Sequence, residues 1–324
     1  MTKDKFVILI EGDLVEKISF IIPCYGSEKT IIPVIEEIID TVNKLKYEYE
    51  IIAVNDCSPD GVWNILLNIA KENSCVKPVS LAKNMNRPGA VMAGICLASG
   101  DILVIMDDDG QCPMDKLDEL ISPLFNGYDV SIAGYPERKQ SAFKDFGTFV
   151  NKKMTEWVID RPKNLQFTNF MAIKKFIASE LVKYDNPYPY LSGLILRTTS
   201  NIINVPMEER NRIAGTTTFT FRKMLSLWIN GFTAFSVKPL RLSSFIGVIA
   251  ALIGFVFGIV TIIRKLVVPD ISVGWSSIIS VMLFIGGLIM LMLGMIGEYL
   301  GRIYISINNS PQYVIKEKIN FDDR

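Results

Sequence analysis

The chain of 324 residues contains no histidine. That absence removes imidazole acid/base chemistry, a Ser-His-Asp triad and any zinc site built on imidazole. Cysteine is scarce. The five present (Cys24, Cys57, Cys75, Cys96 and Cys112) are odd in number and show no CxxC spacing. This excludes a disulfide framework and fits free or buried thiols in a reducing compartment. Neither sign of charge is in excess, with 34 Lys+Arg against 34 Asp+Glu, so no overall field favours nucleic acid. No G-x-G-x-x-G follows the first strand and no G-x-x-x-x-G-K-[ST] occurs, which disfavours a dinucleotide-binding fold and a P-loop. The apolar run at residues 6–10 is too short for the core of a signal peptide.

What is present centres on residues 102–111, ILVIMDDDGQ. Five apolar residues read as a strand buried on both faces. It runs straight into Asp107, Asp108 and Asp109. Carboxylates this close repel one another unless something cationic sits among them. The carboxyl end of a strand is also where open α/β sheets hold their ligands. Hard oxygen donors suit Mg²⁺ or Mn²⁺ carrying a substrate phosphate. A solvated acidic turn is the alternative for a bare triplet.

Strands at 17–23, 49–55, 76–81, 102–106 and 129–134 alternate with helices at 31–44, 62–72, 88–97 and 113–125. Thr30 is placed to N-cap the first helix. The rhythm predicts an α/β fold, a Rossmann-like, mostly parallel sheet with helices on both faces. Asp56, in the turn-rich stretch Asp56-Cys57-Ser58-Pro59-Asp60-Gly61, and the three aspartates all follow strands. They therefore gather at one sheet edge. Beyond Gly134 the pattern loosens into a mixed helix at 143–158 and a Pro- and Tyr-rich stretch at 183–196.

Residues 221–232 carry an apolar face (Met224, Leu225, Leu227, Trp228, Phe232) beside Arg222 and Lys223, as in a helix lying on a membrane surface. Residues 245–263 and 276–297 hold no ionisable side chain and would span about 28 and about 33 Å as helices. The intervening 264–275 is too short for a domain, so the pair reads as a transmembrane hairpin with both flanks on one side. Ala250, Gly254 and Gly258 form a small-residue stripe suited to close helix packing and compatible with a homo-oligomer. Lys238, Arg241 and Arg302 flank the hairpin while Arg264 and Lys265 lie in its loop, so charge bias barely discriminates orientation. The free thiols favour a cytoplasmic catalytic domain. The expected division is a lead-in at 1–16, a catalytic domain at 17–218, an amphipathic juxtamembrane segment at 219–243, the hairpin at 244–298 and a cytoplasmic tail at 299–324.

A metal on aspartates beside a membrane anchor suggests transfer of a group from a nucleotide diphosphate to something lipidic. The motifs agree. From about residue 18 to 301 the chain resembles the family 2 glycosyltransferases of the GT-A fold, in particular the polyprenyl-phosphate glycosyltransferases. Ile21-Ile22-Pro23-Cys24-Tyr25-Gly26-Ser27-Glu28 resembles the family's I-P-x-Y-N-E-E, and Asn55-Asp56-Cys57-Ser58-Pro59-Asp60 its D-D-G-S-x-D. The resemblance implies that Pro23, Tyr25, Glu28 and Asp56 bind the nucleotide sugar. Met106-Asp107-Asp108-Asp109-Gly110-Gln111 resembles M-D-A-D-L-Q. This implies a metal on Asp107 and Asp109, with Asp108 and Gln111 beside the donor. Arg212-x-x-Gly215-x-Thr217-x-Phe219 resembles R-x-x-G-x-S-x-Y, which faces phosphate near the acceptor. Residues 236–241, SVKPLR, resemble the juxtamembrane F-S-x-x-P-L-R.

The family's G-D-F-R, whose aspartate is taken as a base, is matched only by Thr168-Asn169-Phe170-Met171, and Thr218 stands where lysine is common. A lipid phosphate, with a second pKa near 6, is already largely anionic at about pH 7 and needs holding more than deprotonation. Asn169 would orient it, and Arg210, Arg212 or Arg138 would neutralise it, with Asp109, Asn169 and Arg212 as the catalytic set. For Arg138 and Arg210 a surface ion pair is an equally good reading. The expected reaction is inverting transfer of one sugar from a UDP- or GDP-linked donor to a polyprenyl (undecaprenyl) phosphate at the cytoplasmic membrane face, for cell-envelope glycan or glycolipid modification. A membrane transferase acting on a glycan or glycolipid is the alternative, although no Q-x-x-R-W motif of processive synthases occurs. A non-catalytic membrane scaffold is the alternative from another class.

Overall fold

The computed structural model describes residues 9–10, 13–14, 17–136, 161–163, 165–187, 189–213, 238–267, 274–308 and 311–321. The chain divides into two units, residues 1–219 with 310–324 and residues 220–309. The expected helices at 143–158 and 221–232, and Arg138, lie outside the described residues.

The first unit is built on apolar strands. After the two-residue strands β1 (Leu9–Ile10) and β2 (Asp13–Leu14) comes β3 (Lys17–Cys24), buried from Ile18 onward. It pairs in parallel with β4 (Glu48–Asn55), in unbroken register from Lys17↔Glu48 to Cys24↔Asn55. β5 (Val76–Leu81) continues outward from β4, and β6 (Ile102–Ile105) lies on the other side of β3. Helices α1 (Ile31–Leu45), α2 (Val62–Glu72), α3 (Asn86–Leu97) and α4 (Leu117–Phe125) connect them. Ile31, Val34, Ile35, Ile38 and Val42 line the buried face of α1 at helical spacing.

Some details differ from the sequence pattern. Thr30 precedes α1, but its hydroxyl donates to the Ser27 carbonyl at 3.3 Å and caps no helical N–H. α3 begins two residues before Pro88, which sits in the first turn where its missing N–H costs nothing. Residues 113–125 open with a 3-10 turn, Met114–Lys116, before α4. The sheet has eight strands in the order β10-β5-β4-β3-β6-β8-β7-β9, where β7 is Val130–Gly134, β8 Met171–Lys174, β9 Ile202–Pro206 and β10 Ile315–Lys318. β8 runs antiparallel to both β6 and β7, so β7 does not extend the parallel run directly from β6. Helices α5 (Lys175–Val182) and α6 (Leu191–Thr198) complete this half.

Residues 315–318, within the segment expected to be a tail, pair antiparallel with β5 at the sheet edge. Gln312 is buried and donates to the Tyr184 and Asn186 carbonyls at 3.2 and 2.9 Å. Asn320 donates to the Ala70 and Val76 carbonyls, both at 2.9 Å.

The second unit holds α7 (Lys238–Val267) and α8 (Trp275–Ile307). Both run beyond the uncharged cores at 245–263 and 276–297. Within them residues 243–260 and 284–307 have mean hydropathies of 2.4 and 1.7, so both helices are long and apolar enough to cross a membrane. Phe255, Phe284 and Met290 are among many large apolar side chains left exposed. Space beside Gly254 and Gly258 is open, and it is Gly247 that faces Met292, whose Cε would lie 2.8 Å from a Cβ there.

Candidate active site

The carboxyl ends of β3, β4 and β6 carry three loops that are tied together. Gly26, at φ +72°, donates its N–H to Ser58 Oγ at 2.8 Å. Glu28 N–H donates to Asp60 Oδ2 at 2.9 Å, and Gly61 N–H returns a bond to Glu28 Oε2 at 3.2 Å. Glu28 therefore braces the β3 loop against the β4 loop. Pro23, paired with Val54, sits one pair before the end of the ladder beneath them. Tyr25 is exposed at 57% and open to a ligand.

Asp56 is buried and accepts the Met85 N–H at 2.6 Å, while Asn84 Nδ2 donates to the Asp56 carbonyl at 3.1 Å. Burial pushes its carboxyl up to about 6, against the lowering effect of the Met85 and Asn86 N–H groups. The β5–α3 loop is thereby pinned to the expected nucleoside carboxylate.

The three aspartates point to different partners. Asp108 turns back into the β3 loop, accepting the Ser27 hydroxyl and the Tyr25 N–H. Burial, reinforced by Asp107, pushes it up to about 6 despite the Ser27 bond. Asp107 accepts Arg87 Nε at 2.6 Å on one oxygen and the Asn169 side-chain amide on the other. Asp109 accepts the Gln111 N–H at 3.1 Å and faces Arg212 Nε at 3.2 Å. Burial raises the Asp109 carboxyl, the Gln111 N–H opposes this, and Asp107 adds to it. Arg212 Nε also donates to Gln111 Oε1 at 2.7 Å. Ile213 N–H donates to the Asp109 carbonyl at 3.1 Å, and the Ile213 side chain covers Gly110, which at φ +75° has no room for a Cβ. The 209–213 segment thus closes over the aspartate loop.

The structure brings Asp107, Asp109, Asn169, Gln111 and Arg212 together, with Asp108 and Tyr25 beside them. The Arg210 backbone joins them, donating its N–H to the Gln111 carbonyl at 3.1 Å and accepting Gln111 Nε2 at 3.2 Å, but its side chain turns away. That guanidinium is held by Glu37 at 2.6 Å and by Asp115. It borders a cleft of about 790 Å³ that also holds Asp115, Glu119 and Glu208 against Lys116. Arg87 is the residue that motif reading missed. Its signal was indirect, since three adjacent carboxylates require a cation and Arg87 follows the turn-forming Asn84 and Asn86.

The family model described as glycosyl transferase family 2 matches residues 19–179, and the GtrB C-terminal hairpin matches 238–303. The chain is 30% identical over 309 residues to the SfII prophage-derived bactoprenol glucosyl transferase of Shigella flexneri, covering 93% of this chain and 98% of that protein. It is 29% identical to the prophage bactoprenol glucosyl transferase homolog of Escherichia coli, again over 93% and 98%. Glucosyl-3-phosphoglycerate synthase from Mycobacterium tuberculosis matches the fold with a TM-score of 0.51 at 17% identity, over 67% of this chain and 78% of that one. The same enzyme solved with Mn²⁺, UDP and glucosyl-3-phosphoglycerate matches with a TM-score of 0.50 at 17% identity, over 67% and 78%.

Proposed function

The chain belongs to glycosyl transferase family 2, and from that premise we propose that it transfers one sugar from a nucleoside diphosphate donor to a polyprenyl phosphate, with inversion, at the cytoplasmic membrane face. The observation that carries the acceptor is the match over almost the whole length, hairpin included, to proteins named bactoprenol glucosyl transferases. The hairpin would anchor the protein. The chain before residue 220 and after residue 309 belongs to one unit. This supports both flanks lying on one side of the membrane. The free cysteines support that side being reducing.

The nucleoside would lie across the braced β3 and β4 loops, with Asp56 beneath it and Tyr25 offering a face to stack on. Asp107 and Asp109 present hard carboxylate oxygens at the sheet edge, a donor set that fits Mg²⁺ or Mn²⁺. A divalent cation there supplies charge for the departing diphosphate. The remaining work falls to side chains. Arg212 neutralises a phosphate arriving beside Asp109, and Asn169 orients it for in-line attack on the anomeric carbon.

The test is transfer by the purified full chain in detergent, with undecaprenyl phosphate, a panel of UDP- and GDP-sugars, and Mg²⁺, Mn²⁺ or chelator. A metal-dependent sugar on the lipid phosphate is expected. Metal-dependent nucleotide binding without product from any donor would overturn the acceptor, and neither binding nor product would point to a scaffold.

A further inference from the structure

We propose that Arg87 is a resident counter-cation of Asp107, which a divalent cation displaces and which then pairs with the donor's diphosphate. The proposal rests on the reading of Asp107 and Asp109 as metal ligands and says what this chain's own residues do before and after the ion arrives.

Every carboxylate oxygen of that pair is occupied by a donor of this chain. Arg87 and Asn169 hold the two oxygens of Asp107. The Gln111 N–H and Arg212 hold those of Asp109. The two arginines supply the positive charge that a cluster of adjacent aspartates requires. Neither is built in as a buried structural pair. The side chains of Arg87 and Asp107 are 33% and 20% exposed, and those of Arg212 and Asp109 39% and 18%. Among the described residues the other hydrogen bond of the Arg87 guanidinium is a long one, 3.5 Å from Nη2 to the Asn169 carbonyl. One short bond and one long one leave the head group able to turn.

Its root is fixed by contrast. Asn86 takes a left-handed φ of +59° just before it, and Asn86 N–H is held by Asn84 Oδ1 at 3.1 Å. Met85 N–H is anchored on Asp56. A Cβ on Gly89 would lie 2.7 Å from Met85 Cβ, so the helix start is packed tightly behind it. Arg87 therefore projects from the loop that Asp56 pins, which ties the nucleoside side of the site to the aspartate side. A divalent ion entering beside a guanidinium meets like charge, and a diphosphate carries the negative charge that resolves the conflict. Ion and nucleotide should bind synergistically, with Arg87 as the source of the synergy.

The experiment measures Mn²⁺ affinity of the full chain in detergent by the free-ion electron paramagnetic resonance signal, with and without UDP or GDP. For the wild type, weak binding of Mn²⁺ alone and at least tenfold tighter binding with nucleotide are expected. In Arg87→Gln, Mn²⁺ alone should bind about tenfold more tightly, and the enhancement by nucleotide should shrink. Arg87→Lys, which keeps the charge, should return both towards wild type, which a merely structural role would not produce. Unchanged Mn²⁺ affinity in Arg87→Gln, with normal thermal stability, overturns the counter-cation role while leaving the metal site standing. No Mn²⁺ binding by wild type or either variant, with nucleotide present, overturns the metal assignment and this proposal with it.

Discussion

Glu50→Gln provides a quantitative test of how the sheet is held. Glu50 is buried at the amino-terminal edge of β4, 1% exposed. One oxygen accepts Lys17 Nζ at 2.8 Å and Lys77 Nζ at 2.9 Å. The other accepts Ser19 Oγ at 2.6 Å and Ser99 N–H at 2.7 Å. Burial alone would raise the carboxyl, but the Lys17, Ser19, Lys77 and Ser99 bonds outweigh it and lower it from 4.5 to about 2. At about 1.36 kcal/mol per unit, that drop is worth about 3 kcal/mol of stability. The folded pKa is below the unfolded one, so this stability is complete above about pH 5 and is lost as pH falls through about 2. The variant leaves two lysines facing a neutral amide, a change that costs several kcal/mol when buried.

The assay is urea unfolding of the full chain in detergent, followed by tryptophan emission, with Trp63 packed on the core as one reporter. The gap between wild type and Glu50→Gln should be about 3 kcal/mol near pH 7, about 1.4 kcal/mol near pH 3 and close to zero near pH 2. Taking the difference cancels the opposite trend of Asp56 and Asp108, whose raised values favour the fold as pH falls. A gap that stays constant with pH, or below about 1 kcal/mol near neutrality, refutes the reasoning.

Asp109→Asn should lower sugar transfer at least ~100-fold with little shift in melting temperature, and near-normal turnover removes it from the ligand set. Arg212→Ala should weaken use of lipid phosphate about tenfold and nucleotide binding less, as read from separate titrations of the two substrates. Gly94→Ala should cost about 1–3 kcal/mol in urea unfolding, because a Cβ there meets Ile21 Cγ2 at 2.5 Å and Val54 Cγ2 at 3.3 Å. Deleting residues 311–324 should destabilise or aggregate the protein by uncovering β5. It follows that a truncation after Arg241 does not leave an intact catalytic unit, and soluble, nucleotide-binding protein from either deletion would show β10 to be dispensable.

The strands flanking the site were legible because they are buried on both faces. Apolar runs such as ILVIM at 102–106 are hard to place elsewhere, and β3, β4, β5 and β6 appear within a residue or two of their expected ends. β8, β9 and β10 were not legible. β10 is IKEK, mostly exposed, and charged edge strands carry no alternating apolar signal. β8 has four residues and ends in Lys174, which is buried beside Asp129, so its sequence does not announce a central position. In the site, motif order led to Asp107, Asp109, Gln111 and Arg212, which the fold brings together. Arg87 belongs to no motif. Its importance comes from a contact 20 residues away across two strands, and spacing along the chain does not encode that.

The two ends of the central strands show why one carboxylate is structural and the others are available for chemistry. Glu50 has two lysines and two serines for a single charge, almost no solvent, and a pKa driven down to about 2. Its charge is over-compensated and has nothing to gain from a further cation. Asp107 pairs with Arg87 and Asp109 with Arg212, while Asp108 has no ion pair with either. Three carboxylates stand against two guanidinium groups there, and Asp108 is turned away into the β3 loop. An edge with more carboxylates than guanidinium groups, partly open to solvent, favours an added cation where the Glu50 end does not. On the proposed reading a diphosphate gives the displaced Arg87 a partner, while Arg212 stays beside Asp109 for the acceptor phosphate.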